Sequence, residues 1–174
     1  MVVWIIGLSG AGKTTVGEAL LRQWRRTAAN TILVDGDAVR TLFATAGDEV
    51  DHSLAGRRRN AGRTIALCEW LDRQGMNVIC CQLSLFEELR AVHRQRVSGY
   101  LEVWLDTPWA VVTARDSKGF YAKALAGEIE NVVGVDIPFP RFVNLDLVLD
   151  GSGAAGDADA LAASILARLE GRSP

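Results

Sequence analysis

The chain has 174 residues, of which 49% are hydrophobic and 23% charged, and a formal net charge of −2. That length suits one domain spanning residues 1–174, able to bury roughly 70% of its unfolded surface without disulfide or metal staples. The slightly acidic balance argues against a nucleic-acid polymer as partner, and no apolar run approaches the ~20 residues of a membrane span.

Short apolar runs alternate with longer helical patterns. Val2–Ile6 reads as a buried strand, with no basic n-region or cleavage site around it. Residues 14–26 carry a helical apolar face of Val16, Leu20, Leu21 and Trp24. A second strand follows at 31–34, then a long helix at about 53–74, a third strand at 77–81 and a helix at 85–97. The fourth strand is 100–105, and a helix over 108–115 begins with a proline near its first turn. A fifth strand at 145–149, a turn cluster at 151–156 and a closing helix at 158–169 complete the series. Continuously apolar strands alternating with helices predict a three-layer α/β fold: a five-stranded parallel sheet with helices on both faces. Such sheets bind ligands at the carboxyl ends of their strands. The closing helix carries no motif and is expected only to cover the sheet. The five tryptophans read as core or interface residues rather than ligand platforms. The cysteines Cys68, Cys80 and Cys81 have neither disulfide nor zinc spacing, which fits inert buried thiols in a reducing cytoplasm.

The motifs fall just after the strands. Gly7-Leu8-Ser9-Gly10-Ala11-Gly12-Lys13-Thr14 fits GxxxxGK[ST] between a strand and a helix, the P-loop pattern that cradles nucleotide phosphates. Gly7, Ser9, Gly10, Ala11, Gly12, Lys13, Thr14 and Thr15 are therefore expected around ATP. Lys13 should reach the β- and γ-phosphates, and Thr14 should offer its hydroxyl to Mg²⁺. The second strand runs into Asp35-Gly36-Asp37, followed by Arg40. One carboxylate can help hold Mg²⁺ through water, and Asp35 is the better placed because the third strand runs into Gln82-Leu83-Ser84. The other, Asp37, can take the proton of an acceptor hydroxyl or orient that hydroxyl. The plainer alternative makes Asp37 a helix cap for Ala38 onward. A GTPase switch would need DxxG and NKxD motifs, which are missing. A non-catalytic nucleotide-binding module could dispense with Asp37 and with the basic segment at 115–123. A kinase for a sugar-like metabolite would share the strand-end aspartate.

With these motifs in place, the chain resembles the adenylylsulfate (APS) kinase family. The resemblance covers roughly residues 2–150. It is carried by the P-loop, Asp35-Gly36-Asp37, Glu102-Val103-Trp104-Leu105-Asp106-Thr107-Pro108, and above all by Arg115-Asp116-Ser117-Lys118-Gly119-Phe120-Tyr121-Ala122-Lys123-Ala124. It implies that about 115–137 form a basic lid over the nucleotides, with Arg115 on the ATP side and Lys118 acting in catalysis. It also implies that Asp37, Arg40, Arg57, Asn60, Leu83, Ser84, Lys118, Gly119 and Phe120 meet the acceptor. Arg63 stands in the same helix signature, whereas Arg58 and Arg59 read as a solvated face. A homodimer is a further implication.

Four departures stand out. The family's ISPYR reads Leu83-Ser84-Leu85-Phe86-Glu87, and its FTG reads Val132-Val133-Gly134. The stretch between Asp37 and Asn60 is about three residues longer than usual, and at 47–52 it lacks the family's phenylalanine. Two aromatics that would sandwich an adenine are thus absent, which would leave Phe43 or Phe86 to compensate. Asp48, Glu49, Asp51 and Glu87 add carboxylates that suit an exocyclic amine. The expected reaction is transfer of the γ-phosphoryl group of MgATP to a ribose 3′-hydroxyl of a small nucleotide-like acceptor. Adenylylsulfate is the first candidate and cytidine diphosphoramidate, as in capsule phosphoramidate synthesis, the alternative.

Overall fold

The computed structural model describes residues 1–43, 51–117, 119–153 and 157–171. Five parallel strands, β1 (Val2–Ile6), β2 (Thr31–Asp35), β3 (Asn77–Gln82), β4 (Tyr100–Asp106) and β5 (Leu147–Asp150), lie in the order β2-β3-β1-β4-β5. β1 sits at the centre, with Ile6 beside both Gln82 and Trp104. All five of its residues are buried, because helices cover both faces.

Alternation along the strands sorts the core into two layers. Val3, Ile5, Ile79, Cys81, Leu101 and Val103 face α1 (Lys13–Trp24) and α7 (Ala158–Glu170). Val2, Trp4, Ile6, Val78 and Cys80 face α2 (Gly36–Leu42), α3 (Leu54–Arg73) and α4 (Glu87–Arg96). The sequence pattern offers α2 only as the alternative helix from Ala38 and misses α6 (Phe120–Leu125), which follows α5 (Trp109–Ala114). Both are short, and each starts where a carboxylate satisfies free N–H groups. Asp35 caps α2, and Asp116 accepts from Phe120 N and Tyr121 N at 2.8 and 2.6 Å. β5 starts later than the apolar pattern predicts. The Asp146 carboxylate takes the backbone N–H of Glu102 at 2.7 Å, so a side chain occupies a β4 donor before the strand can pair. Trp70 departs from its expected place, since 52% of its surface is exposed. The three thiols are free and buried, and burial pushes Cys81 up to about 12.

Candidate active site

Two cavities open at the carboxyl ends of the strands. The first, about 360 Å³, is lined by Ser9, Gly10, Ala11, Gly12, Lys13, Thr14, Thr15 and Arg115. The loop turns into α1 at Gly12, whose φ of 95° suits a residue without a side chain. No side chain caps α1 and its first turn holds no acid, so its positive end is left for an anion. Gly7 does not line the cavity. A Cβ there would lie 3.1 Å from Leu105 O, so this glycine lets the loop pass β4. Arg115 donates from Nη1 to Gly151 O at 3.1 Å and from Nη2 to Gly153 O. Asp157, Ala158 and Leu161 complete the wall, so the closing helix does more than cover the sheet. Its contribution has no motif because apolar and small residues suffice there.

The second cavity, about 350 Å³, lies between the ends of β2 and β3, helices α2 and α3, and Phe120 of α6. Asp35, Asp37, Arg40, Arg57, Asn60, Leu83 and Ser84 line it, as does Phe120. Gly119 does not. It adopts φ 67° at the start of α6. Lys118 lies outside the described residues, as do Asp48 and Glu49. Thr41, His52 and Gln82, which belong to no motif, also line this cavity, as do Phe86 and Val133 from the two segments that depart from the family pattern. A strand-end amide between an apolar run and a serine was the available signal for Gln82.

Asp35 uses both carboxylate oxygens. Oδ1 accepts from Asp37 N and Ala38 N at 2.9 and 3.2 Å, and Oδ2 accepts from Thr14 Oγ1 at 2.7 Å. The capping residue of α2 is therefore Asp35. Asp37 stands in the first turn with its side chain 89% exposed and its Oδ1 4.0 Å from Arg40 Nη2. A Cβ on Gly36 would meet Gln82 Cγ at 3.0 Å and Cys81 O at 3.3 Å, so only glycine lets β2 turn this close to β3. Lys13 Nζ donates to Leu8 O at 2.8 Å. Burial lowers its pKa, while Cys81, Asp37 and Asp35 act to raise it.

On the far wall, Arg40 Nη1 meets His52 Nδ1 at 2.9 Å, and Arg57 donates to His52 O and Asn131 O at 2.9 and 2.7 Å. Burial, then the charges of Arg40 and Arg57, depress the His52 pKa, which favours a neutral ring that accepts from Arg40. Ser84 adopts φ 63°, uncommon for a residue with a side chain. It is held there by Trp4 Nε1, which donates to Ser84 Oγ at 2.9 Å, and by Arg90 Nη1, which donates to Ser84 O at 2.9 Å. Tyr121 OH donates to Ser9 O at 2.8 Å, joining the 115–137 segment to the phosphate loop. Arg58 and Arg59 lie on an exposed face and pair with Glu88 and Asp51.

Ser9, Lys13, Thr14 and Asp37 line both cavities. The geometry is that of two ligands meeting across one lysine and one carboxylate. A family model described as adenylylsulphate kinase matches residues 1–150. The cytidine diphosphoramidate kinase of Campylobacter jejuni is 36% identical over 151 residues, covering 87% of this chain and 86% of its own. The adenylyl-sulfate kinase of Deinococcus deserti is 38% identical over 148 residues, covering 85% and 80%. Among solved structures, the Mycobacterium tuberculosis APS kinase CysC in complex with AMPPNP and APS matches with a TM-score of 0.83 and 32% identity, over 97% of this chain and 96% of that one. The shikimate kinase of Aquifex aeolicus, at 21% identity and a TM-score of 0.56, shares the fold. The chain belongs to the adenylylsulphate kinase family and is a P-loop phosphotransferase with a hydroxyl group as acceptor.

Proposed function

We propose that the protein transfers the γ-phosphoryl group of ATP to the ribose 3′-hydroxyl of a nucleotide acceptor, with adenylylsulfate as the first reading. The observation that carries this reading is the seam of Ser9, Lys13, Thr14 and Asp37 between the two cavities. ATP lies in the P-loop cavity, and Lys13 exchanges Leu8 O for the β- and γ-phosphates. The acceptor lies in the second cavity with its anionic end toward Arg40 and Arg57. Asp37 receives the hydroxyl proton as the oxygen–phosphorus bond forms and the bond from Pγ to the bridging β-oxygen breaks, releasing ADP. The 115–137 segment serves as the lid, anchored through Tyr121, and excludes water from the reacting phosphoryl group.

Mg²⁺ fits the donor set. The hydroxyl of Thr14 and the carboxylate of Asp35, 2.7 Å apart, are hard oxygen ligands at the foot of the P-loop. When bound, the ion neutralises charge on the phosphate oxygens. A homodimer belongs to the same reading, checked by light scattering on the eluting protein.

Cytidine diphosphoramidate is the second reading, favoured by the acceptor wall. Val132 stands where the resemblance puts an aromatic side chain and is buried against Val112, Tyr121 and Ala124, so only its neighbour Val133 reaches the cavity and this segment offers no ring to sandwich an adenine. Phe86 and Phe120 line the same cavity and supply aromatic surface for a smaller base. A coupled ADP-release assay with MgATP and either adenylylsulfate or cytidine diphosphoramidate decides between the readings. ADP release with neither, above the rate without acceptor, overturns the proposal.

A further inference from the structure

Three buried side-chain atoms on residues lining the acceptor cavity have no hydrogen-bond partner among the described residues: Arg40 Nε, Asn60 Oδ1 and Gln82 Oε1. Two of these are carbonyl oxygens on residues more than nine-tenths buried, Gln82 at 8% exposure and Asn60 at 3%. Both amides flank the Gly36 peptide. Asn60 Nδ2 donates to Gly36 O at 3.0 Å, which fixes that amide with its oxygen elsewhere, and Gln82 Cγ packs against the open face of Gly36 from the end of β3. An unpaired buried carbonyl weakens the fold, and an apolar side chain could fill the place of Gln82 without that cost. A chain that keeps such an oxygen at a ligand cavity has a use for it when the ligand is bound.

The rest of the cavity says what that ligand carries. Arg40 and Arg57 provide for its anionic groups. An amide oxygen repels phosphate or sulfate oxygens and is the right partner for an N–H. We infer that Gln82 is a specificity-determining residue whose Oε1, together with Asn60 Oδ1, accepts hydrogen bonds from an uncharged amino group of the acceptor. The inference rests on the kinase reading above and adds to it the chemistry by which the acceptor is told apart. Such a group has two possible sources. One is the exocyclic amine of adenine or cytosine. The other is the amide nitrogen of a phosphoramidate, where a sulfate would present only oxygens.

The test compares acceptors that differ only in the amine, in the wild type and in Gln82→Met. Cytidine against uridine diphosphate, and adenylylsulfate against its inosine counterpart, probe the base. Cytidine diphosphoramidate against cytidine diphosphate probes the terminal nitrogen. The wild type should favour the amine-bearing member of one pair by at least about 30-fold in kcat/KM, since a site built around a hydrogen bond rejects analogues that lack it. Gln82→Met should reduce that ratio to below about threefold, and the pair that collapses identifies the source. Without ligand, Gln82→Met should melt no lower than the wild type, because it removes an unpaired oxygen. Gln82→Leu provides a second apolar variant should the methionine fail to fold.

Wild-type turnover with no amine preference in any pair overturns the inference while leaving the kinase reading intact. So does a preference that survives in the variant. So does an equal loss on every acceptor, which would assign Gln82 to a ribose hydroxyl. If the wild type phosphorylates none of these acceptors, the kinase reading falls first and the inference falls with it.

Discussion

Asp37 is a carboxylate with little structural work to do. Its side chain is almost wholly exposed, and Asp35 already supplies the cap for α2. Replacing Asp37 by Asn should therefore change stability by no more than about 0.5 kcal/mol. If it receives the acceptor proton, kcat should fall by roughly 10²- to 10⁴-fold. A coupled ADP-release assay and a thermal melt on the same preparation check both halves, and a near-normal kcat would leave Asp37 without the proposed role. Ser84 presents the reverse case. Its hydroxyl accepts from the indole N–H of Trp4, a residue 1% exposed. Ser84→Ala should leave that N–H buried and unpaired, costing about 1–3 kcal/mol in urea denaturation. Ser84→Gly loses the same bond but relieves the left-handed backbone, so it should be less destabilised than Ser84→Ala.

At the scale of elements, α6 is held at its start by the Asp116 carboxylate and tied to the phosphate loop by Tyr121 OH. Burial, then the nearby Asp116 charge, pushes Tyr121 up to about 12, so its hydroxyl stays a donor at any working pH. Tyr121→Phe removes only that tie. A net hydrogen bond of about 0.5–1.5 kcal/mol predicts a two- to tenfold fall in kcat/KM for MgATP with the fold preserved. Steady-state kinetics with varied ATP measures it, and an unchanged kcat/KM would mean that the segment does not close through this bond. The strands, the long helices and the P-loop were legible because each rests on a local pattern: apolar runs, helical periodicity, or glycines at fixed spacing. The short helix α6 was not, and α2 stood only as an alternative with Asp37 in place of Asp35 as its cap, because each starts at a carboxylate whose capping role appears only once the backbone has turned. The contributions of Gln82 to the acceptor cavity and of Leu161 to the P-loop cavity were equally hidden, since each reaches the strand ends only through the sheet order and the packing of the closing helix.

The whole molecule carries a buried histidine that the proposed chemistry does not use. His93 is fully buried, packed edge-on against the Trp4 and Tyr100 rings at centroid distances of 5.0 and 5.4 Å. Its Nδ1 lies 3.4 Å from Glu69 Oε1, and its Nε2 has no partner among the described residues. Protonating the ring would bury a second N–H with nothing to accept it. Burial accordingly lowers the pKa below the ordinary value of 6.5, although Glu69 pulls the other way. The sign for stability follows. At a pH between the depressed native value and 6.5, the unfolded chain binds a proton that the native chain does not. Stability from this group is therefore complete above about pH 7.5 and declines as pH falls through 6.5 toward the native value. The decline is at most about 1.4 kcal/mol per pH unit for one such group. His52, also depressed, adds in the same direction. Urea denaturation from pH 8 to 5.5 should show that decline. His93→Phe keeps an aromatic ring between Trp4 and Tyr100 and removes the proton, so its stability should be flatter across the same interval by up to one proton's slope. If the variant keeps the full wild-type slope, the acid sensitivity belongs to His52 or to the carboxylates, and His93 is an uncoupled core residue.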